Sequence, residues 1–404
     1  MGLLTVVALA ATLNVPDRAS ANVSLAAQGR IVVAVWSAAT SAGQADVFAA
    51  VSHDAGSSFG ASVRVNSTEF DARINGEQPP HVVLTPARGA PPEIVVVWTS
   101  TGSAGATLLT SRSTDGGRTF SRSAAVPGSD AAGSRGWESA AGGPDGIRAL
   151  WLDHRAMAPP PGTPAGQHTH GTGAATDGFA MAQRSSVYSS VIGRPDSARE
   201  VAKGVCFCCK TAIAAAPNGA IYAAWRNVFP GGIRDIAATV SRDGGRTFAT
   251  PVKVSDDGWV LNGCPDDGPA MAVDAASRLH IVWPTLVTDD KGAQSLALFY
   301  AASTDGRTFT PRQRIPTEGV PHHPQIAVDG RGAATIAWDE TGRGPRQVVV
   351  ARLGGGAAAR ITRLGVTGAG AYPVLVATDD AVVAAWTAGS GAASAVHVER
   401  IRIR

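Results

Sequence analysis

A short apolar strand ending in tryptophan recurs along the chain and constrains its fold more than any other feature. It reads RIVVAVW at Trp36, EIVVVW at Trp98, IRALW at Trp151, AIYAAW at Trp225, LHIVW at Trp283, AATIAW at Trp338 and AVVAAW at Trp386. A second apolar run lies upstream of the copies, as in NVSLAA, PHVVL, KTAIAAA, PAMAVDA, PQIAVD and YPVLVA. The mean period is about 58 residues. A unit of this size, built from short strands, is a small sheet that cannot bury its own faces. Units of that kind stack around an axis and bury one another, which predicts an all-β propeller of four-stranded blades.

Composition agrees with one closed domain. A length of 404 residues would by itself suggest two or three domains, but a ring of repeats is one domain whatever its length. Only 17% of residues are charged, while 47 glycines and 25 prolines fit a chain with many tight turns. No run of 18 apolar residues occurs, so no membrane span is expected. The net charge of +3 has no basic run behind it, which argues against a nucleic-acid partner. Residues 1–21 have two readings. LLTVVALAATL followed by Ala19-Ser20-Ala21 resembles a secretory signal, although no Lys or Arg precedes the apolar run. Alternatively, since the last repeat lacks sequence for a fourth strand, the same segment could close the ring from the other terminus. The remainder, 22–404, reads as one propeller with a Pro/Gly/Thr-rich insertion at 156–178.

Four repeats carry a turn of the form S-x-D-x-G-x-x-F. Ser52, Asp54, Gly56 and Phe59 form one copy; Ser113, Asp115, Gly117 and Phe120 another; Ser241, Asp243, Gly245 and Phe248 a third. The fourth, Ser303, Asp305 and Phe309, is one residue shorter. Ser and Asp can bond backbone groups in a tight turn, and Gly supplies positive φ. The element resembles the Asp-box, or BNR repeat, of the sialidase-like propellers. The resemblance covers most of the chain and implies the fold; in that family the box is a structural turn away from the active site. Sialidases have six blades and this chain has seven tryptophan repeats, so seven blades are expected, with six as the alternative.

In such a blade the innermost strand, A, is followed outward by B, C and D. The residues just before each A strand should therefore converge at one mouth of the axial channel. They are Glu77 in repeat two, Trp137 and Glu138 in repeat three, and Cys206, Cys208, Cys209 and Lys210 in repeat four. Repeat five supplies Cys264, Asp266 and Asp267, repeat six His322 and His323, and repeat seven Tyr372. The loops after the tryptophans open on the same face and add Asp153, Arg155, Arg226, Arg234, Asp339, Glu340 and Arg343; the insertion holding His168 and His170 starts there too.

Three functions fit this set. Cys206, Cys208, Cys209 and Cys264, with His322 and His323, suit a soft or borderline metal, zinc or copper; disulfides are the competing state of the same cysteines. The family resemblance implies instead an exo-acting glycoside hydrolase. Its nucleophile would be Tyr372, its acidic groups Glu138 and Asp153, and its substrate carboxylate would be held by arginines drawn from Arg155, Arg226, Arg234 and Arg343. The family's Arg-Ile-Pro signature occurs only at Arg314-Ile315-Pro316, after the last Asp-box, where it cannot play that role. The third possibility is a protein-interaction platform. The expected partner is a metal ion, small ligand or glycan at the axial mouth of a monomer outside the cytoplasm.

Overall fold

The computed structural model describes residues 9–402 apart from 88, 103–104, 159–176, 264, 266 and 355–360. It contains seven four-stranded antiparallel sheets. In six of them the four strands follow in chain order. In the seventh, Ala371–Ala377, Ala381–Ala388 and Ala395–Arg402 are completed by Leu9–Leu13 from the other end of the chain. The innermost strands are Ala19–Gln28, His81–Thr85, Arg135–Gly143, Ala212–Ala215, Ala270–Val273, Val320–Val328 and Ala371–Ala377. Each packs on the next, and the first packs on the last, so the ring is a seven-bladed propeller. No described helix is long and apolar enough to cross a membrane.

The repeated tryptophan is what joins one blade to its neighbour. All seven are at most 2% exposed. Trp36 packs among Val383, Ala385 and Val398 of blade seven, and Trp98 among Val33, Val47 and Ala49 of blade one. Trp151, Trp225, Trp283, Trp338 and Trp386 each fill the same gap against the preceding blade. A large flat ring suits this place because the gap between twisted sheets widens away from the axis.

The Ser-x-Asp turns lie between strands C and D. In each, the serine hydroxyl donates to the aspartate, at 2.7, 2.8, 2.8 and 3.0 Å for Ser52, Ser113, Ser241 and Ser303. The serine oxygen accepts from the N–H of Gly56, Gly117, Gly245 or Gly306. The glycines have φ of 86°, 85°, 82° and 72°. A Cβ on any of them would strike the preceding blade: Val383, Val51, Arg148 or Tyr222. In the short fourth copy the turn closes one residue earlier, on Gly306, and keeps the same bonds.

The opposite ends of the A strands are irregular. In blades one, three, six and seven the A–B pairing slips between Ala21/Ser24, Gly136/Ser139, His322/Gln325 and Ala371/Val374. Two residues thus face the single tryptophan of strand B, a β-bulge. The first of each pair is left-handed: Asn22 at φ 58°, Trp137 at 53°, His323 at 51° and Tyr372 at 55°. Asn tolerates this backbone; bulky Trp, His and Tyr adopt it only where the surroundings impose it.

Candidate functional site

The bulges throw side chains across the axis. His323 of blade six sits between two carboxylates: Nδ1 is 2.7 Å from Asp339 of its own blade, and Nε2 is 3.1 Å from Glu77 of blade two, on the far side of the channel. Burial alone would lower the His323 pKa; the bond to Asp339 and the charges of Asp267, Glu77 and Asp339 outweigh it and hold it above the ordinary value. Tyr372 stacks on His323 with ring centroids 4.1 Å apart, and its backbone N–H donates to Asp339. Its phenol ring lies on Gly76, where a Cβ would come within 2.0 Å of it. Asp267 of blade five accepts from the His323 N–H at 3.0 Å and lies 3.7 Å from His322 Nδ1. Burial would raise the Asp267 pKa, but His322, His323 and Lys210 hold it low.

Beneath this layer is a cavity of about 250 Å³ lined by all seven innermost strands. Glu138 is on its wall, 1% exposed. Burial pushes its carboxyl up to about 7, against the pull of the Thr99 hydroxyl, which donates to Oε2 at 2.7 Å. His81, also on the wall, is driven down to about 4 by burial and by the Lys210 charge. Lys210 crosses Gly268, whose Cβ would strike it, and donates from Nζ to the Pro324 carbonyl of blade six at 3.0 Å.

The cysteines adjoin the same ring. The Sγ atoms of Cys206, Cys208 and Cys209 all lie within 4.8 Å of one another, and each residue is buried. Cys206 is 3.7 Å from Cys208 and 3.5 Å from Cys209. Cys206 and Cys209 are free thiols, while Cys208 is disulfide-bonded. The hydrogen bond from Cys209 lowers the Cys206 pKa to about 7 against burial, helped by the Arg234 and Arg226 charges. Burial pushes the Cys209 thiol up, against the pull of the nearby Asp267 backbone. Phe207 and Trp137 wall the sulfurs, and the short helix Gly178–Gln183 at the end of the insertion places Phe179 near Arg234.

Not every candidate converges. Among the described residues, the cysteines alone form a group of metal-capable atoms within 4.8 Å; His322 and His323 are not in it. Both ring nitrogens of His323 already face carboxylates. Arg226 donates to the carbonyls of Asp267, Arg234 and Pro284. Arg234 donates to those of Leu261 and Gly178 and to Cys206 Sγ at 3.1 Å. Asp153 is buried between Arg135 and Arg155 and accepts from Trp151. Arg343 is exposed. Cys264, Asp266, His168 and His170 lie outside the described residues. Reading the sequence alone missed Asn22 and His81. Both belong to A strands quoted for their apolar pattern, and their polarity within such runs was the available signal. His154, in the Asp153-His154-Arg155 loop after Trp151, lies tilted against Trp137, 5.7 Å between centroids.

No protein-family model matches the sequence, and a comparison with curated proteins gives no match either. Solved structures do match in fold. The polysaccharide lyase Uly1 superposes with a TM-score of 0.55 at 11% identity, over 94% of this chain and 90% of that one. Penicillium chrysogenum α-L-arabinanase gives 0.51 at 11%, over 99% and 98%. Trypanosoma rangeli sialidase gives 0.47 at 10%, over 95% and 55%. The chain is a seven-bladed β-propeller, and identities this low speak of fold alone.

Proposed function

We propose that this protein holds a soft metal ion, zinc or monovalent copper, at the mouth of its axial channel. The supporting observation is three buried sulfurs within 4.8 Å of one another. Thiolate is the ligand such ions prefer, and a closed, buried set is what a structural or storage centre uses. Cys206 and Cys209 would supply two thiolates, and Cys208 a third once its disulfide is reduced. Arg234, donating to Cys206, orients that sulfur and offsets its charge, as outer-shell partners of metal ligands do. The disulfide at Cys208 favours a compartment outside the cytoplasm. Thiol count and metal content, measured on one reduced sample, test this reading. About one equivalent of zinc or copper is expected, lost in Cys206→Ser; reduced thiols with no stoichiometric metal would overturn it.

A second reading, an exo-acting glycoside hydrolase of sialidase type, draws on Glu138 and Tyr372 sharing the cavity wall. It is the weaker because Arg226 and Arg234 are committed to backbone carbonyls and Arg155 to Asp153. Hydrolysis of a fluorogenic sialoside, lost in Tyr372→Phe, would restore it; an inert wild type removes it.

A further inference from the structure

The sulfur cluster also has the arrangement that thiol–disulfide exchange needs. Cys206 and Cys209 are free thiols three residues apart, the Cys-x-x-Cys spacing in which a dithiol and its disulfide interconvert. Their Sγ atoms are 3.5 Å apart. Cys208 is disulfide-bonded, and its sulfur lies 3.7 Å from Cys206 Sγ. Cys206 therefore touches a disulfide on one side and a second thiol on the other. Exchange proceeds by attack of a thiolate on a disulfide sulfur, which needs the two in contact. Arg234 donates from Nη1 to Cys206 Sγ at 3.1 Å and is pinned by the carbonyls of Leu261 and Gly178. It thus sets a fixed positive charge on the sulfur that would attack. Trp137 and Phe207 close over the cluster, and none of the three cysteines is more than 6% exposed. The disulfide within reach of Cys206 is the one at Cys208.

We propose that the cluster is a disulfide-exchange site, with Cys206 as the attacking sulfur and Cys209 as the resolving one. In the first step Cys206, its proton gone to solvent, attacks Cys208 Sγ. A Cys206–Cys208 bond forms, the bond from Cys208 to its partner sulfur breaks, and that partner leaves as a thiolate and takes up a proton. In the second step Cys209 gives up its proton and attacks Cys206 Sγ. The Cys206–Cys209 bond forms, the Cys206–Cys208 bond breaks, and Cys208 leaves as a thiolate that is protonated in turn. One disulfide and two thiols are present before and after, so the exchange needs neither oxidant nor reductant. Its result is to move the disulfide from Cys208 into the Cys-x-x-Cys pair. No metal takes part, so the exchange stands whether or not a metal binds.

Disulfide mapping of the unreduced full chain, held at pH 8 with a metal chelator, tests this. Samples quenched in acid are unfolded and alkylated, and the tryptic peptide 204–210 shows which of its three cysteines carry label. Two states are expected in the wild type: label on Cys206 and Cys209, and label on Cys208 with Cys206 bonded to Cys209. Their proportions should not depend on protein concentration. Cys209→Ser should stop the exchange at its first step and replace the Cys206–Cys209 bond by Cys206–Cys208. Cys206→Ser should hold the bond at Cys208. A wild type in which the bond never leaves Cys208 overturns the proposal without any variant having to fold. So does label movement that persists in Cys206→Ser, or that rises with protein concentration. Because the chelator is present throughout, a failure here and a failure to bind zinc or copper are separate results.

Discussion

The two faces of this propeller solve opposite problems. On one, the Ser-x-Asp turn is repeated four times with the same bonds, and each aspartate is satisfied within its own turn. On the other, each blade opens with different residues, four of seven bulge, and carboxylates, histidines and thiols from separate blades meet across the axis. Repetition with local satisfaction is what a turn needs for stability. Variation with strain and cross-blade contacts indicates a site, because it costs stability that nothing in the ring itself requires.

That contrast can be broken by experiment. The largest effect expected is at the sulfurs: Cys209→Ser should weaken metal binding at least about 100-fold, beyond what loss of an outer-shell partner costs, in a competition titration of the reduced protein. Glu138→Gln comes next. The folded state keeps a proton on Glu138 that the unfolded chain releases near 4.5, so wild-type stability should fall as pH rises from about 4.5 to about 7 and stay lower above it. Comparing urea unfolding of wild type and Glu138→Gln isolates that loss from the histidines, with a limit of about 3 kcal/mol. The variant should be the more stable protein at pH 8. A wild type whose stability rises relative to the variant would contradict the placement of this acid.

Smaller effects separate the faces more sharply. Arg234→Met should weaken the metal about 10–100-fold while leaving the thiol count unchanged. Asp243→Ala, on the opposite face, removes the acceptor for Ser241 and for the N–H and hydroxyl of Thr247. It should cost about 0.5–2 kcal/mol, as loss of a comparable cap does, and leave metal binding and disulfide exchange untouched. A turn substitution that altered either would end the division between a structural and a functional face.

Much of this was legible in the sequence, because the tryptophan repeat gives blade number and the chain order within a blade tells which residues share a face. Cys209, Asp267, His322, His323 and Tyr372 are brought together by that logic alone. What it could not show is which way each side chain turns. A one-residue bulge sends His323 toward Glu77, and no local pattern announces it. Arg226 and Arg234 look like ligand-binding cations in sequence. Their partners are backbone carbonyls of Asp267, Leu261 and Gly178, which come close only in the folded ring. The distinction between Cys208 and its neighbours is likewise tertiary.

The most direct measurement is an ultraviolet titration of the reduced full chain with Cd²⁺, whose soft character reports thiolate ligation. A sulfur-to-metal band that saturates at one equivalent in wild type and vanishes in Cys206→Ser is expected. No band, with the thiols shown to be reduced, would contradict a metal centre at the channel mouth.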